Sequence, residues 1–179
     1  MTYVMMDDVA IEIIMLSVLR TGPIHGYELK RRVQRTTLTS LSNNSLYPIL
    51  RRFEAEGAVT KEVEHQEGKP ARNVYTITDV GRRMLTDLIS TLPLKLAAND
   101  EEFLVRVSFF HELSPERRIA ILSARAAVID GAIAQVGTLA AESGQDPTRV
   151  WRNLSMARLL GQLDDERQWI SELMTKAVE

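Results

Sequence analysis

The sequence contains no cysteine in its 179 residues. The chain therefore cannot form a disulfide, a thiolate metal site or a cysteine nucleophile, and the absence fits a reducing compartment. A strong charge of either sign is also missing, because 22 Lys and Arg residues stand against 24 Asp and Glu residues, for a formal net charge of -2. The total charge consequently points to no class of partner.

Patterns that would indicate an enzyme or a bound cofactor are missing as well. The histidines, His25, His65 and His111, fall in different predicted elements, and none has metal-ligand spacing to another histidine or to a carboxylate pair. No glycine-rich phosphate loop and no nucleophile elbow occurs in the sequence. We therefore predict neither catalysis nor a metal or cofactor, and we assign His25 to a structural role or to a phosphate contact.

No membrane or export signal is predicted either. The apolar run Val9–Leu19 is interrupted by Glu12 and is too short to span a bilayer. The residues before it lack the basic region that opens a signal peptide. We expect a cytoplasmic protein.

The first half of the sequence contains a series of short elements. The apolar run predicts a buried helix, which Gly22 and Pro23 end. A second short helix follows over HGYELKRRVQR, with Tyr27 and Val33 expected to face inward. The basic side chains expected on its outer side are Lys30, Arg31 and Arg35.

The segment SNNSLYPILRRFEAEG, residues 42–57, predicts a third helix with two different faces. The apolar face consists of Leu46, Ile49, Leu50 and Phe53. A helix interior tolerates proline badly, so we place Asn44 near the N-cap, Pro48 at the edge of the first turn and Gly57 at the C-terminal stop. The opposite face carries Asn44, Pro48, Arg51 and Ala55, flanked by Tyr47 and Arg52.

A β-hairpin with a basic tip is predicted next. The segments Ala58–His65 and 73–78 show the alternation and the β-branched content of strands, and Lys69 and Arg72 lie near the turn between them. Asp79 then starts a fourth helix. Between residues 30 and 83 there are 11 basic and 6 acidic residues, whereas the rest of the chain has 11 basic and 18 acidic residues. This asymmetry is typical of a segment that binds a polyanion.

The order helix, helix, helix, hairpin, helix indicates a winged helix-turn-helix, in which the third helix enters the major groove of DNA. We predict base contacts from Asn44, guanine or phosphate contacts from Arg51, and a phosphate contact from Tyr47. Each assignment has an alternative. Asn44 could be only an N-cap, Tyr47 could be half buried against the wing, and the two arginines could be solvated or paired with nearby glutamates. The predicted DNA-binding set is Asn44, Ser45, Tyr47, Pro48, Arg51, Arg52, Lys30, Lys69 and Arg72.

Residues 14–88 resemble the PadR family of bacterial transcriptional regulators. The motifs that carry the resemblance are GPIHGYEL at Gly22–Leu29, SLYPILRRFEAEG at Ser45–Gly57, and EGKPARNVYTITDVGRRML at Glu67–Leu85. Residues 101–177 resemble the helical C-terminal domain of longer family members. The resemblance implies a homodimer formed through the C-terminal helices and repression of neighbouring genes. It also implies, as in some members, a response to aromatic or drug-like small molecules.

Two positions depart from the family pattern. The third helix of the family opens with Ser-x-Gly-Ser-Leu-Tyr-Pro, and Asn44 stands here where glycine is common. Ala71 stands in the wing where a basic residue is frequent. We therefore expect an operator that differs from those of the family, and a weaker wing contact. The matching positions are Ser42, Ser45, Leu46, Tyr47 and Pro48 in the helix and Gly68, Lys69 and Arg72 in the wing.

The second half of the sequence predicts only helices after a linker at Pro93–Asn99. One helix covers residues 100–113, and the signals Ser114-Pro115-Glu116 and Asp146-Pro147 open two long helices. Apolar residues at intervals of seven predict coiled-coil pairing, either in a dimer or in an intramolecular bundle. The predicted dimer contacts are Leu122, Ile129, Val136, Met156, Leu163 and Ile170. Trp151 and Trp169 are candidates for an effector pocket, with core or dimer contacts as the alternative.

Together these patterns predict a mainly α fold in two domains. Residues 1–92 would form a winged helix-turn-helix with a two-stranded β wing, and residues 93–179 a helical dimerisation and effector domain. We predict a homodimeric repressor that binds a pseudo-palindromic operator in double-stranded DNA and is released by a small aromatic effector. The alternative is a winged-helix adaptor for protein docking, which would not need Arg51, Arg52 and a basic wing.

Overall fold

The computed structural model describes residues 9–36, 43–66, 69–143 and 149–178, which fall into two compact units, Met1–Ile89 and Ser90–Glu179. The first unit holds α1 (Val9–Leu19), β1 (Ile24–His25), α2 (Gly26–Thr36), α3 (Asn43–Ala55), β2 (Val59–Gln66), β3 (Lys69–Ile77) and α4 (Asp79–Ser90). The second unit holds α5 (Asp100–Val107), a 3-10 helix (Phe110–Glu112), α6 (Pro115–Ser143) and α7 (Val150–Ala177). The domain boundary predicted at residue 92 stays a prediction.

The core of the first unit is built from apolar helix faces. Helix α1 is buried on nearly all sides and packs against α2 and β3, as its composition predicted. The inward face predicted for α3 is confirmed, because Leu46, Leu50 and Phe53 are fully buried and Ile49 is half-buried. Each such side chain contributes about 1.5–3 kcal/mol when it leaves water. This face fixes which side of α3 remains outside.

The wing is part of an antiparallel sheet with the strand order β1-β3-β2. Strands β2 and β3 pair from Val59 opposite Ile77 to Gln66 opposite Lys69, with an irregularity between Glu64 and Gln66. The predicted hairpin is therefore present. An additional strand, β1, pairs with β3 at Tyr75 and Val74 and was not predicted. Its two residues are too few to show a period of two along the sequence.

Two glycines are required where α3 ends and α4 begins. Gly57 has a φ of 72°, the left-handed conformation that ends a helix without a Cβ clash, as predicted from its position. Gly81 lies in the first turn of α4 against the start of β2. A Cβ on Gly81 would come within 2.2 Å of the carbonyl oxygen of Ala58. Only glycine therefore allows α4 to approach this strand so closely.

Two local predictions in the first unit were wrong. Tyr27 was expected to face inward with Val33, but Val33 is fully buried and Tyr27 is 77% exposed. The buried face of α2 consists of Gly26, Leu29 and Val33, and Tyr27, six residues from Val33, lies about 120° away from it around the helix. Pro48 lies inside α3, past the first turn, because the helix already begins at Asn43. Pro48 cannot donate the usual helix hydrogen bond to the carbonyl group of Asn44.

The second unit begins with a shorter helix than predicted. Helix α5 starts where Asn99 accepts hydrogen bonds from the backbone N–H groups of Glu101 and Glu102. It stops at Val107, and the segment predicted to continue it to residue 113 instead contains the 3-10 helix. A buried ion pair between Arg106 and Glu102, 2.7 Å long, occupies its inner side. Arg106 also donates to the carbonyl oxygen of Thr91.

Helices α6 and α7 pack along each other as an antiparallel pair. Arg118, early in α6, donates to the carbonyl oxygen of Ala177 at the end of α7, and Arg125 donates to Glu166. The start of α6 at Pro115 agrees with the predicted signal, and a hydrogen bond from Ser114 lowers the pKa of Glu116 there. The signal at Asp146-Pro147 lies outside the described residues. Helical pairing of the two long helices is confirmed.

Helix α6 is unusually apolar. By length and composition alone it could cross a membrane over Pro115–Glu142, although the core helix of a soluble protein passes the same test. Of its most apolar 18-residue window, 28% is buried within the chain. Helix α6 therefore exposes apolar surface that α7 does not cover.

Candidate nucleic-acid interface

The predicted recognition residues of α3 differ in exposure. Arg51 is exposed and has no ion-pair partner among the described side chains. Tyr47 is 37% exposed, and Pro48 is half-buried. Asn44 and Ser45 belong to the first turn of α3, and their side chains lie outside the described part of the chain. The core contacts of α3 thus leave Arg51 free to meet a ligand.

Arg52 is placed differently from Arg51. Its Nη2 atom lies 2.5 Å from Oε1 of Glu12 on α1, and its Nε atom lies 3.9 Å from Glu56. Arg52 therefore points toward α1 rather than outward from α3. Of the alternatives for this arginine, pairing with a glutamate is the one that the structure supports, although the main partner is Glu12 and not a residue of α3.

A cleft of about 720 Å³ opens where α2, α3 and β3 meet. Tyr47 enters it beside the start of α2: a Cβ built on Gly26 would lie 3.6 Å from the Tyr47 hydroxyl and 3.2 Å from the Tyr75 ring. Burial raises the pKa of Tyr75, and the neighbouring Tyr47 and Glu54 add to this increase. The cleft is lined by His25, Gly26, Tyr27, Glu28, Tyr47, Arg72, Asn73 and Tyr75.

The cleft contains residues that the sequence did not indicate. Tyr27 and Asn73 had not been assigned to the site, and the only local signal was the position of Tyr27 directly after Gly26 in the GPIHGYEL motif. His25 lies on β1 with Nε2 at 3.5 Å from Oε2 of Glu64. Its Nδ1 atom is buried and has no hydrogen-bond partner in the described part of the chain. The cleft thus places hydroxyl, imidazole, amide and guanidinium groups around one opening.

The basic residues of α2 are partly neutralised. Glu28 pairs with Arg31 at 2.8 Å and with Arg32 at 3.0 Å. Hydrogen bonds from these two arginines lower the pKa of Glu28. Lys30, from the predicted set, is half-buried on the same helix. The positive charge that α2 can offer to a polyanion is therefore smaller than its sequence suggests.

The wing carries its basic residues on β3. Arg72 is exposed and stands opposite Glu64 of β2. Lys69 is the first residue of β3, and its side chain lies outside the described part, as do the turn residues 67 and 68. Arg72 lines the same cleft as Tyr47. The structure therefore brings a predicted wing residue and a predicted α3 residue to one opening.

The residues predicted for dimer contact separate into two groups. Leu122, Ile129 and Ile170 are buried within the second unit of a single chain. These side chains already pack inside the chain, so they are unavailable to a partner in this arrangement. Val136, Met156 and Leu163 are half-buried.

The predicted tryptophan pocket is not formed within one chain. Trp151 and Trp169 are 18 positions apart on α7, a separation of roughly 27 Å along a helix. Trp151 is 81% exposed, whereas Trp169 packs edge-on against Phe103 with ring centroids 6.0 Å apart. Within one chain the two rings therefore do not meet, and Trp169 has the core contact that was the alternative.

A smaller cleft of about 430 Å³ lies in the second unit beside Arg125. It has an apolar wall and a polar end, where Arg125 is held by Asp100, Glu166 and the carbonyl oxygen of Ala97. The apolar wall consists of Ala98, Val128, Ile129, Ala132, Leu159 and Leu163. Among the residues that the structure describes, no group of three His, Asp or Glu side chains could hold a metal ion.

The first unit is a winged helix-turn-helix: helices α1 to α3, then the β2-β3 wing, then α4. Residues 15–87 match the family described as the transcriptional regulator PadR-like family. The match lies within the first unit, so the likeness to this family holds for that segment and not for the whole chain.

Individual relatives match to different extents. The chain is 30% identical over 102 residues to the negative transcriptional regulator PadR of Bacillus subtilis, covering 55% of this chain and 56% of that protein's length. It is also similar to the crystal structure of Bacillus subtilis PadR in complex with operator DNA, with 21% identity and a TM-score of 0.42. This match covers 93% of this chain and 98% of that chain. A third match is the crystal structure of TA0346 of Thermoplasma acidophilum, with 35% identity and a TM-score of 0.40. This match covers 43% of this chain and 74% of that chain.

Proposed function

We propose that this protein is a sequence-specific DNA-binding regulator of transcription that acts as a homodimeric repressor. The observation that carries the proposal is the exposed Arg51 on the outward face of α3, inside a winged helix of the PadR-like family. The relative from Bacillus subtilis is a negative transcriptional regulator, which supports repression. The protein would act in the cytoplasm, where we expect it to meet its operator.

The recognition helix of the proposal is α3. Its outward face would enter the major groove, with Arg51 donating to guanine or to a phosphate. Asn44 and Ser45 are in its first turn, where side chains reach base edges and backbone N–H groups favour a phosphate. Pro48 adds little bulk at the groove floor. Three further residues of the predicted set, Lys30, Lys69 and Arg72, would meet the flanking backbone.

The cleft beside α3 suits the DNA backbone. The Tyr27 and Tyr47 hydroxyls and Arg72 line this opening. Phosphate contacts of this kind fix the register of a protein on the duplex without reading sequence. Tyr27, the most exposed of these side chains, therefore joins the proposed interface as a residue that positions the helix.

We place the proposed dimer contact on the exposed apolar side chains of the second unit, because three of the predicted contact residues are buried within the chain. Leu139 near the end of α6 and Val150, Trp151 and Leu154 at the start of α7 are all exposed. Because α6 and α7 are antiparallel, these four residues belong to the same end of the helix pair, which we call the distal cluster. Large exposed apolar groups of this kind usually mark a protein interface. Val136, Met156 and Leu163 stay in the proposed contact as half-buried neighbours.

Repression would follow from occupation of a promoter by the dimer. Two recognition helices on a two-fold axis bind half-sites about one helical turn apart, or a multiple of that spacing. A ligand that altered the dimer contact would move the helices by several Å and release the operator. The cleft beside Arg125 supports a small-molecule site better than the separated Trp151 and Trp169 do.

Selection of bound sequences from random duplex DNA at physiological salt tests the proposal. We expect enrichment of an inverted repeat. A folded dimer that enriches no sequence and passes through a DNA resin without salt-sensitive retention would instead favour the protein-docking adaptor.

A further inference from the structure

Glu12 is a charged residue in an otherwise apolar, buried helix. It is 8% exposed, and its neighbours Ile11, Ile13 and Ile14 are core residues. Its carboxylate lies 2.5 Å from the guanidinium of Arg52 on α3. The side chain of Arg52 remains 42% exposed, so the pair connects the core of the unit with the flank of the proposed recognition helix.

The ion pair by itself adds little to the free energy of unfolding. A buried carboxylate loses its hydration, and a well-packed apolar residue at the same position is often equally stabilising or better. What such a pair does supply is one defined geometry, because the carboxylate is satisfied only when the guanidinium is in place. At position 12 this geometry joins α1 to α3.

The position of Arg52 on α3 makes the pair sensitive to rotation of the helix. Successive residues are about 100° apart around a helix. Leu46, Leu50 and Phe53 define the inward face, and Arg52 lies on its flank. The apolar contacts tolerate a small roll of α3, whereas a roll would stretch the Arg52–Glu12 pair. Since Arg51 is adjacent to Arg52, the same pair fixes the direction in which Arg51 points.

We infer that the Glu12–Arg52 ion pair is a positioning element for DNA recognition, which sets the rotation of α3 in the major groove. The inference rests on the proposed function and revises one sequence prediction, the DNA contact of Arg52. Arg52 acts through Glu12 on the orientation of α3 and does not contact DNA. Glu12, in the first helix of the unit, becomes a residue on which operator specificity depends.

The two roles of Arg52 predict opposite effects of Glu12→Gln. If Arg52 contacts phosphate, removing the neighbouring carboxylate frees a positive charge and tightens DNA binding. If the pair positions α3, Glu12→Gln weakens binding to the selected operator about tenfold, a change within the range of coupled residue pairs. Binding to a scrambled duplex of the same length stays unchanged, since it depends on phosphate contacts.

The experiment measures affinity for the selected operator and for the scrambled duplex at several salt concentrations, using the full chain. The variants are Glu12→Gln, Arg52→Gln, the double variant and Arg52→Lys, and each is shown by circular dichroism to be folded at the temperature used. We expect both single variants to lose operator affinity to a similar extent and the double variant to lose no more. The salt dependence of Arg52→Gln should equal that of the unchanged protein, and Arg52→Lys should recover part of the affinity.

Glu56→Gln is the matched control, because Glu56 also lies near Arg52 but at 3.9 Å and exposed. It should leave operator affinity unchanged. Tighter binding by Glu12→Gln, or a salt slope lowered by about one in Arg52→Gln, would overturn the inference and make Arg52 a phosphate contact. If Glu12→Gln does not fold, the salt slope of Arg52→Gln alone decides whether Arg52 positions α3 or contacts phosphate. Absence of any selected operator for the unchanged protein would contradict the proposed function itself.

Discussion

Arg125 and Glu166 join α6 to α7 through one carboxylate oxygen, which lies 2.7 Å from Nε and 2.6 Å from Nη2 of the arginine. The Arg125 side chain is almost completely buried and also donates to Asp100 and to the carbonyl oxygen of Ala97. A single guanidinium thus holds the start of α5, α6 and α7 together. This arrangement gives the second unit a fixed core on which exposed apolar surface can be presented.

Replacement of Arg125 by methionine should destabilise the protein strongly. The methionine fills much of the volume but leaves the carbonyl group of Ala97 without its hydrogen-bond donor. It also removes the cation that Asp100 and Glu166 share. We expect the free energy of unfolding to fall by about 2–4 kcal/mol, measured by urea denaturation. Arg167→Met is the control, because Arg167 pairs with the exposed Asp130 and its loss should cost about 1 kcal/mol or less. Equal effects would contradict this role of Arg125.

Gly81→Ala should disrupt the junction between α4 and β2. The added Cβ would lie 2.2 Å from a backbone oxygen that cannot move aside without shifting the strand. We expect a loss of about 1–3 kcal/mol in unfolding free energy, as for an overpacked core. Gly131→Ala in α6 meets nothing within 4 Å and should stabilise the helix by up to about 1 kcal/mol. The melting temperature should therefore fall in Gly81→Ala and rise in Gly131→Ala.

Tyr27→Ala should weaken DNA binding without affecting the fold. Tyr27 is largely exposed, so the free energy of unfolding should change by less than about 0.5 kcal/mol. If its hydroxyl meets a phosphate, affinity should fall by a similar factor for operator and scrambled duplex, and Tyr27→Phe should show the same loss. Val80→Ala, at another exposed apolar position of the same unit, is the control. Unchanged affinity in both tyrosine variants would remove Tyr27 from the interface.

The sequence was sufficient to predict the order of the α-helices and the wing hairpin and the inner face of α3, but not β1 or the 3-10 helix. That face follows from apolar residues at helical spacing, and the burial of Leu46, Leu50 and Phe53 follows that pattern. Gly57 and Ser114-Pro115-Glu116 marked two helix ends because their conformational preferences are local. Local chemistry therefore fixed where elements begin and which side of α3 faces the core.

Features that depend on distant residues could not be predicted. Glu12 and Arg52 are 40 positions apart, and no periodicity connects them. The intervals of seven that include Leu122 and Ile129 on α6 and Ile170 on α7 indicated helix pairing. The same interval is found in pairing inside a chain and between chains. The burial of these three residues within the second unit identifies the intrachain use.

The distal cluster should hold two copies of the chain together. Trp151→Ser combined with Leu154→Ser removes its two most exposed large side chains on α7. Because buried tryptophans often carry about 2 kcal/mol or more of binding energy at an interface, we expect the dimer dissociation constant to rise by about thirtyfold or more. Sedimentation over a concentration series measures this, and Leu104→Ser on α5 is the control at another exposed leucine. A double variant that dimerises like the unchanged chain would place the contact elsewhere.

Arg51→Ala is the most direct test of the recognition helix. The side chain is exposed and lacks an ion-pair partner among the described side chains, so its removal should leave unfolding free energy within about 0.5 kcal/mol of the original. Loss of a bidentate contact to guanine should weaken operator binding by about 1–3 kcal/mol and relax the preference at one position of each half-site.

The selected sequences separate the two ways in which Arg51 could bind DNA. A phosphate contact would instead weaken binding uniformly and lower the salt slope by about one. Arg83→Ala removes an exposed arginine from α4 of the same unit and controls for the loss of a positive charge. If Arg51→Ala and Arg83→Ala bound the operator equally well, the outward face of α3 would not be the DNA-reading surface. The cleft of Tyr27, Tyr47 and Arg72 would then have to lie against a different partner.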